Sequence, residues 1–257
     1  MIKLPLRWLS KRARKHEICR LRGESYAAVL ARLHESVRPS TYFEIGTLRG
    51  ETLKLAKCKS IAVDPKFRIA SDVIGAKPCC LFFQTTSDDF FRDRDPAAIF
   101  GAPIDFAFID GLHLFEYALR DFANTERHCR PNSVIVLHDC VPADRWMAER
   151  VYTDECRRRS TFPDRWAGDV WKILPALKKY RPDLKIAVVD AEPTGLVLIT
   201  RLDPQSNVLS DNYDGIVQEF SGLDIAKYGI ARHQDDCAMI STRALARAAD
   251  VAKLLGR

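Results

Sequence analysis

Lys185-Ile-Ala-Val-Val-Asp-Ala-Glu-Pro-Thr-Gly-Leu-Val-Leu-Ile199 is the stretch that decides the fold. It reads as two β-rich apolar runs, 185–189 and 195–199, separated only by residues 190–194. A parallel crossover needs about a dozen residues or more, so the pair is expected to be an antiparallel hairpin. Upstream, apolar runs at 41–45, 60–63, 79–83, 104–109 and 134–137 alternate with helical patterns, one of them at about 50–57. Continuous apolar runs suit strands buried on both faces, joined by parallel crossovers. The predicted class is α/β: a Rossmann-like sheet of seven strands, mostly parallel, with a terminal antiparallel hairpin and helices on both faces.

Working outward, residues 1–37 read as a basic N-terminal tail and helix and 38–202 as the ligand-binding core. Within that core, 141–183 is a substrate-lid insertion, and 203–257 form a C-terminal helical extension. The chain has 257 residues, 47% hydrophobic and 29% charged, which suits a large buried core and excludes a disordered or fibrous protein. No run approaches the ~20 consecutive apolar residues of a membrane helix. The formal charge of +6 is concentrated at one end: residues 1–22 hold eight basic side chains against Glu17 alone, so the body is near neutral. That pattern argues against a nucleic-acid-binding body. Leu4, Leu6, Trp8 and Leu9 beside the basic residues could touch an anionic membrane surface, although a solvated basic helix or a loose tail is the favoured reading. The eight cysteines form no C-x-x-C pair and no secretory signal precedes them, so a reducing, cytoplasmic location is expected.

Ligands of open α/β sheets bind at the carboxyl ends of the strands. The first strand runs into Glu44-Ile-Gly46-Thr-Leu-Arg-Gly50, where Gly46 and Gly50 let the backbone approach a ligand. The spacing is G-x-x-x-G, unlike the G-x-G-x-x-G of nicotinamide folds, and a carboxylate beside it favours a cationic group. Asp64 ends the second strand, where a carboxylate can accept hydrogen bonds from the vicinal hydroxyls of a ribose, or simply cap the turn before Pro65. Ser87-Asp88 follows the third strand, as adenine neighbours or as a helix start. Asp110-Gly111 and His138-Asp139 end the fourth and fifth.

The set E-I-G-T-L-R-G, I-A-V-D, T-S-D-D, F-I-D-G-L-H and V-L-H-D, in this order, resembles the class I S-adenosylmethionine-dependent methyltransferases over about residues 38–202. Within them it is similar to the small-molecule O-methyltransferases, the catechol type and the macrocin and cephamycin-pathway relatives. The resemblance implies that Glu44, Gly46 and Gly50 hold the methionine part of the cofactor, Asp64 the ribose, and Ser87 and Asp88 the adenine. It places Asp110 beside the cofactor and, with His138 and Asp139, where a divalent ion sits in the metal-dependent subgroup. His113 stands where the catechol type has its base lysine. His138 for a carboxylate and His113 for a lysine are departures.

The expected chemistry is methyl transfer to a hydroxyl of a small molecule, a saccharide among the candidates. His113 and His138 are the candidate bases, since neutral imidazole is available near pH 7. Imidazole in the donor set weighs against magnesium and towards a transition metal. In the insertion, Trp166, Asp169 and Trp171 are candidates for the substrate wall. A nicotinamide-dependent oxidoreductase and a non-catalytic cofactor-binding module are the alternatives.

Overall fold

The computed structural model describes residues 18–256. The basic stretch 1–17, with its expected membrane contact, lies outside the described residues. Seven strands, β1 (Thr41–Ile45), β2 (Lys59–Val63), β3 (Cys80–Phe83), β4 (Ile104–Ile109), β5 (Cys129–His138), β6 (Lys185–Val189) and β7 (Leu196–Thr200), form one sheet in the order β3-β2-β1-β4-β5-β7-β6. The first five strands pair in parallel, and β7 runs antiparallel to both β5 and β6. The short connection 190–194 thus closes the expected hairpin, and the fold is the Rossmann-like sheet read from the sequence.

The helices are α1 (Tyr26–Val37), α2 (Ser87–Asp93), α3 (Pro96–Phe100), α4 (Phe115–Glu126), α5 (Asp154–Arg159), α6 (Ile173–Tyr180), α7 (Val208–Asp211), α8 (Tyr213–Ser221), α9 (Ile225–Tyr228), α10 (Ile230–Cys237) and α11 (Ala248–Leu255). Strand side chains alternate between faces, so each run feeds two cores. Phe43, Ile45, Ile109, Ile135, Leu137 and Val197 pack on one face with Phe115, Leu119 and Phe122 of α4. Tyr42, Phe106, Phe108, Val136 and Leu198 pack on the other with Leu30 and Leu33 of α1 and Val251 of α11. The N-terminal and C-terminal helices therefore cover one and the same face.

The helix expected at 50–57 is instead one 3-10 turn, Leu53–Leu55. β5 is longer than expected, and its register against β4 shifts between Ile104 and Phe106.

Candidate active site

Gly46 follows β1 with φ +85°, and a Cβ there would fall 1.9 Å from the backbone oxygen of Asp110. Only glycine allows the loop after β1 to lie against the end of β4. The loop is tied to β2 by Asp64, whose Oδ2 accepts the Leu48 N–H at 2.8 Å and whose Oδ1 accepts the Lys66 N–H at 2.6 Å. Each oxygen keeps one further lone pair. Glu44 is fully buried beneath the loop. Tyr42 donates to one of its oxygens, while Oε1 has no partner among the described residues. Burial pushes this carboxyl up to about 7, against the hydrogen bond from Tyr42.

At the end of β3, Thr86 caps α2, so Ser87 and Asp88 occupy its first turn. Arg120 of α4 holds Asp88 with two hydrogen bonds of 2.8 and 2.6 Å.

The ends of β4 and β5 bring four ionisable groups together. His113 Nε2 lies 3.3 Å from Asp110 Oδ1 and 3.2 Å from Asp139 Oδ2, and His138 Nδ1 lies 3.1 Å from Asp110 Oδ1. Asp139 takes φ +59°, a left-handed conformation that is uncommon outside glycine. The His113 Nδ1–H donates to the backbone carbonyl of Trp166. Gly168 presses on the same residue, its virtual Cβ falling 1.7 Å from the His113 oxygen. The insertion is thereby clamped onto the cluster. His138 is more enclosed, with Nε2 3.2 Å from Thr194 Oγ1 in the hairpin turn. Burial would depress both imidazoles, but Asp139 and Asp110 overcome it, and His113 is lifted to about 9. Burial would likewise raise Asp110, yet His138 and His113 hold it well below the usual carboxylate range.

Of the expected substrate wall, only Trp166 reaches this place, with its ring 5.4 Å from that of His113 and stacked on Tyr152. Asp169 and Trp171 must be corrected. Asp169 is buried under α4, where it accepts the Phe115 N–H at 2.9 Å and pairs with Arg150 and Lys172. Trp171 is a core residue packed against Tyr228 and His233. An aspartate and a tryptophan in an insertion look alike in sequence whether they face a ligand or the interior.

Residues 17–140 match the family model Methyltransf_24, a methyltransferase domain. This stretch is similar to a methyltransferase domain. Solved structures with the same fold include cofactor-bound Rv0187 from MTB, at 15% identity over 73% of this chain and 85% of that one, with a TM-score of 0.51. The O-methyltransferase from Bacillus cereus in complex with SAH is 17% identical over 67% and 79% of the two chains, with a TM-score of 0.47. The O-methyltransferase TomG from Streptomyces achromogenes in complex with SAM is 16% identical over 68% and 78%, also at 0.47. At these identities the likeness is one of fold. No curated protein matches the sequence.

Three further residues of this site were not read from the sequence. Tyr26, the first residue of α1, stacks on His138 with ring centroids 4.3 Å apart. Burial and the nearby carboxylates, Asp110 first, push its phenol up to about 12, so it is a donor at neutral pH. Thr194 reaches His138 from the hairpin turn. Asp121 of α4 is buried below Gly111 with Oδ1 unpartnered, and burial pushes it up to about 7. Asp121 lies eight residues beyond His113, the end of the D-G-x-H motif that begins at Asp110. Among the described residues no helix is long and apolar enough to cross a membrane.

Proposed function

We propose that the methyltransferase domain moves the methyl group of S-adenosylmethionine to a hydroxyl of a small molecule. One observation carries this reading. The glycine loop after β1, Asp64 after β2 and the Asp110–His113–His138–Asp139 cluster after β4 and β5 lie along the same carboxyl edge of the sheet. Gly46 and Gly50 let the backbone close on the methionine part, and the unpartnered Glu44 Oε1 offers an acceptor for its amino group. Asp64 has lone pairs left for the ribose hydroxyls. Ser87 and Asp88 border the adenine.

In the transfer the acceptor oxygen attacks the methyl carbon as the C–S bond breaks. The electron pair stays on sulfur, which becomes a neutral thioether. Alignment of the two reactants supplies much of the acceleration. The hydroxyl proton passes to the carboxylate–imidazole cluster of Asp110, His113, His138 and Asp139. Trp166 and Tyr152 form an aromatic wall that suits a sugar or an aromatic ring.

A divalent ion fits the cluster, because Asp110, His113 and Asp139 each offer a ligand atom within 4.8 Å of the others. Such an ion would lower the pKa of a hydroxyl bound to it. Residues 38–202 are then the catalytic core and 141–183 its lid. Free thiols at Cys58, Cys79, Cys80, Cys129, Cys140, Cys156 and Cys237 suit a reducing compartment, and we place the protein in the cytoplasm.

Thermal unfolding with added ligand tests the reading, since a ligand of the native state raises the apparent midpoint. S-adenosylmethionine and S-adenosylhomocysteine should raise it, and NAD should leave it unchanged. Stabilisation by NAD alone would overturn the proposal.

A further inference from the structure

His113 is oriented by the backbone of the insertion. Its Nδ1 faces the Trp166 carbonyl, which only accepts, so Nδ1 carries the hydrogen and Nε2 is the ligating nitrogen. An imidazole that donates its other N–H to a backbone carbonyl is the usual second-sphere arrangement around metal-bound histidine. Nε2 points between two carboxylate oxygens at 3.3 and 3.2 Å. Ligand atoms held about 2.1 Å from one ion sit roughly 3.0 to 3.4 Å apart, which matches that spacing.

His138 is placed differently. Its Nδ1 meets Asp110 Oδ1, its Nε2 meets Thr194 Oγ1, and Tyr26 covers its ring. Both nitrogens are engaged, and the residue steadies Asp110 from behind.

We propose that the cluster binds a first-row transition metal through Asp110, Asp139 and His113 Nε2, with His138 as an outer-sphere positioning residue. Imidazole suits zinc, copper, iron and nickel, whereas magnesium demands oxygen donors. The proposal rests on the methyltransferase reading only for the use made of the ion. It departs from the sequence expectation, which paired the two carboxylates with His138.

The test is metal binding to the purified full-length protein, first stripped with chelator. Calorimetry with Zn²⁺, Mn²⁺ and Mg²⁺ should rank zinc above magnesium by more than tenfold in affinity. His113→Ala and His113→Gln should each lose at least tenfold for zinc while magnesium changes little. His138→Gln should lose less than the His113 variants. With Cu²⁺ as a spectroscopic probe, electron paramagnetic resonance should report nitrogen coupling in the wild type and in His138→Gln, and none in His113→Gln. Far-ultraviolet circular dichroism checks that each variant is folded. Preference for magnesium, or nitrogen coupling that survives in His113→Gln and vanishes in His138→Gln, would overturn the proposal. Titration of the metal-free protein with S-adenosylmethionine is measured alongside. Absence of cofactor binding there contradicts the methyltransferase reading, whatever the metal result.

Discussion

Gly46 lies against the carbonyl of Asp110, and the contact joins the loop after β1 to the residue at the centre of the ionisable cluster. A Cβ at position 46 would meet backbone oxygen, which has no free rotor to move aside. The same residue needs φ +85°. Both demands fall on one position, so the loop after β1 and Asp110 are held in fixed relation by the absence of a side chain.

Gly46→Ala should therefore cost more than about 3 kcal/mol of stability, strain and displacement together. Gly101→Ala is the control, with φ +70° but open space around it, and should cost only about 1 kcal/mol. Urea denaturation of the two variants decides the matter. Equal losses would mean that the close approach to Asp110 is not a constraint.

Asp169 should behave as a structural residue. Asp169→Ala removes the partner of the buried Lys172 and leaves the Phe115 N–H bare, at a cost of about 3 to 5 kcal/mol. Asp169→Asn keeps an acceptor for Phe115 and should be milder. The folded Asn variant should bind S-adenosylmethionine as the wild type does. A normally folded Asp169→Ala would return this residue to the list of ligand-facing candidates.

His34 sets a pH dependence of stability. It is buried between the rings of Tyr42 and Phe106, neither ring nitrogen has a partner, and burial followed by Lys77 lowers its pKa to about 3. The unfolded chain takes up a proton near pH 6.5 that the native state refuses. Stability from this group is complete above pH 6.5 and falls as pH drops towards 3. His34→Phe should remove that slope. The variant should gain about 2 kcal/mol relative to wild type between pH 7.5 and pH 4.5. A constant difference between the two proteins across this range would show that His34 titrates normally.

Much of this architecture was legible from the order of apolar runs. The five-residue link 190–194 excluded a crossover on length alone, and the residues that end β1, β2, β4 and β5 were candidates because sheets bind ligands there. What escaped the sequence is decided by three-dimensional neighbours. Residues 50–57 carry a helical pattern, yet only Leu53–Leu55 form a turn of 3-10 helix. Asp169 and Trp171 have the composition of a ligand wall, yet a helix start and the α9–α10 region claim them. Tyr26 and Thr194 flank His138 from opposite ends of the chain, a proximity with no local sign. His113 and His138 were both candidate bases in sequence, with His113 the favoured one. The Trp166 carbonyl and the Thr194 hydroxyl distinguish them, and each is supplied from more than fifty residues away.

The central claim is that the carboxyl edge of this sheet binds S-adenosylmethionine for methyl transfer, and calorimetric titration of wild type and Asp64→Ala with that cofactor tests it most directly. Asp64 holds the glycine loop through Leu48 and faces the expected ribose. Hydrogen bonds to a charged group are worth roughly 1.5 to 3 kcal/mol each, so the loss of two should weaken binding by at least tenfold. The account predicts one cofactor per wild-type chain and that tenfold loss in a variant that remains folded. Unchanged affinity in Asp64→Ala, or no binding to the wild type, would contradict it.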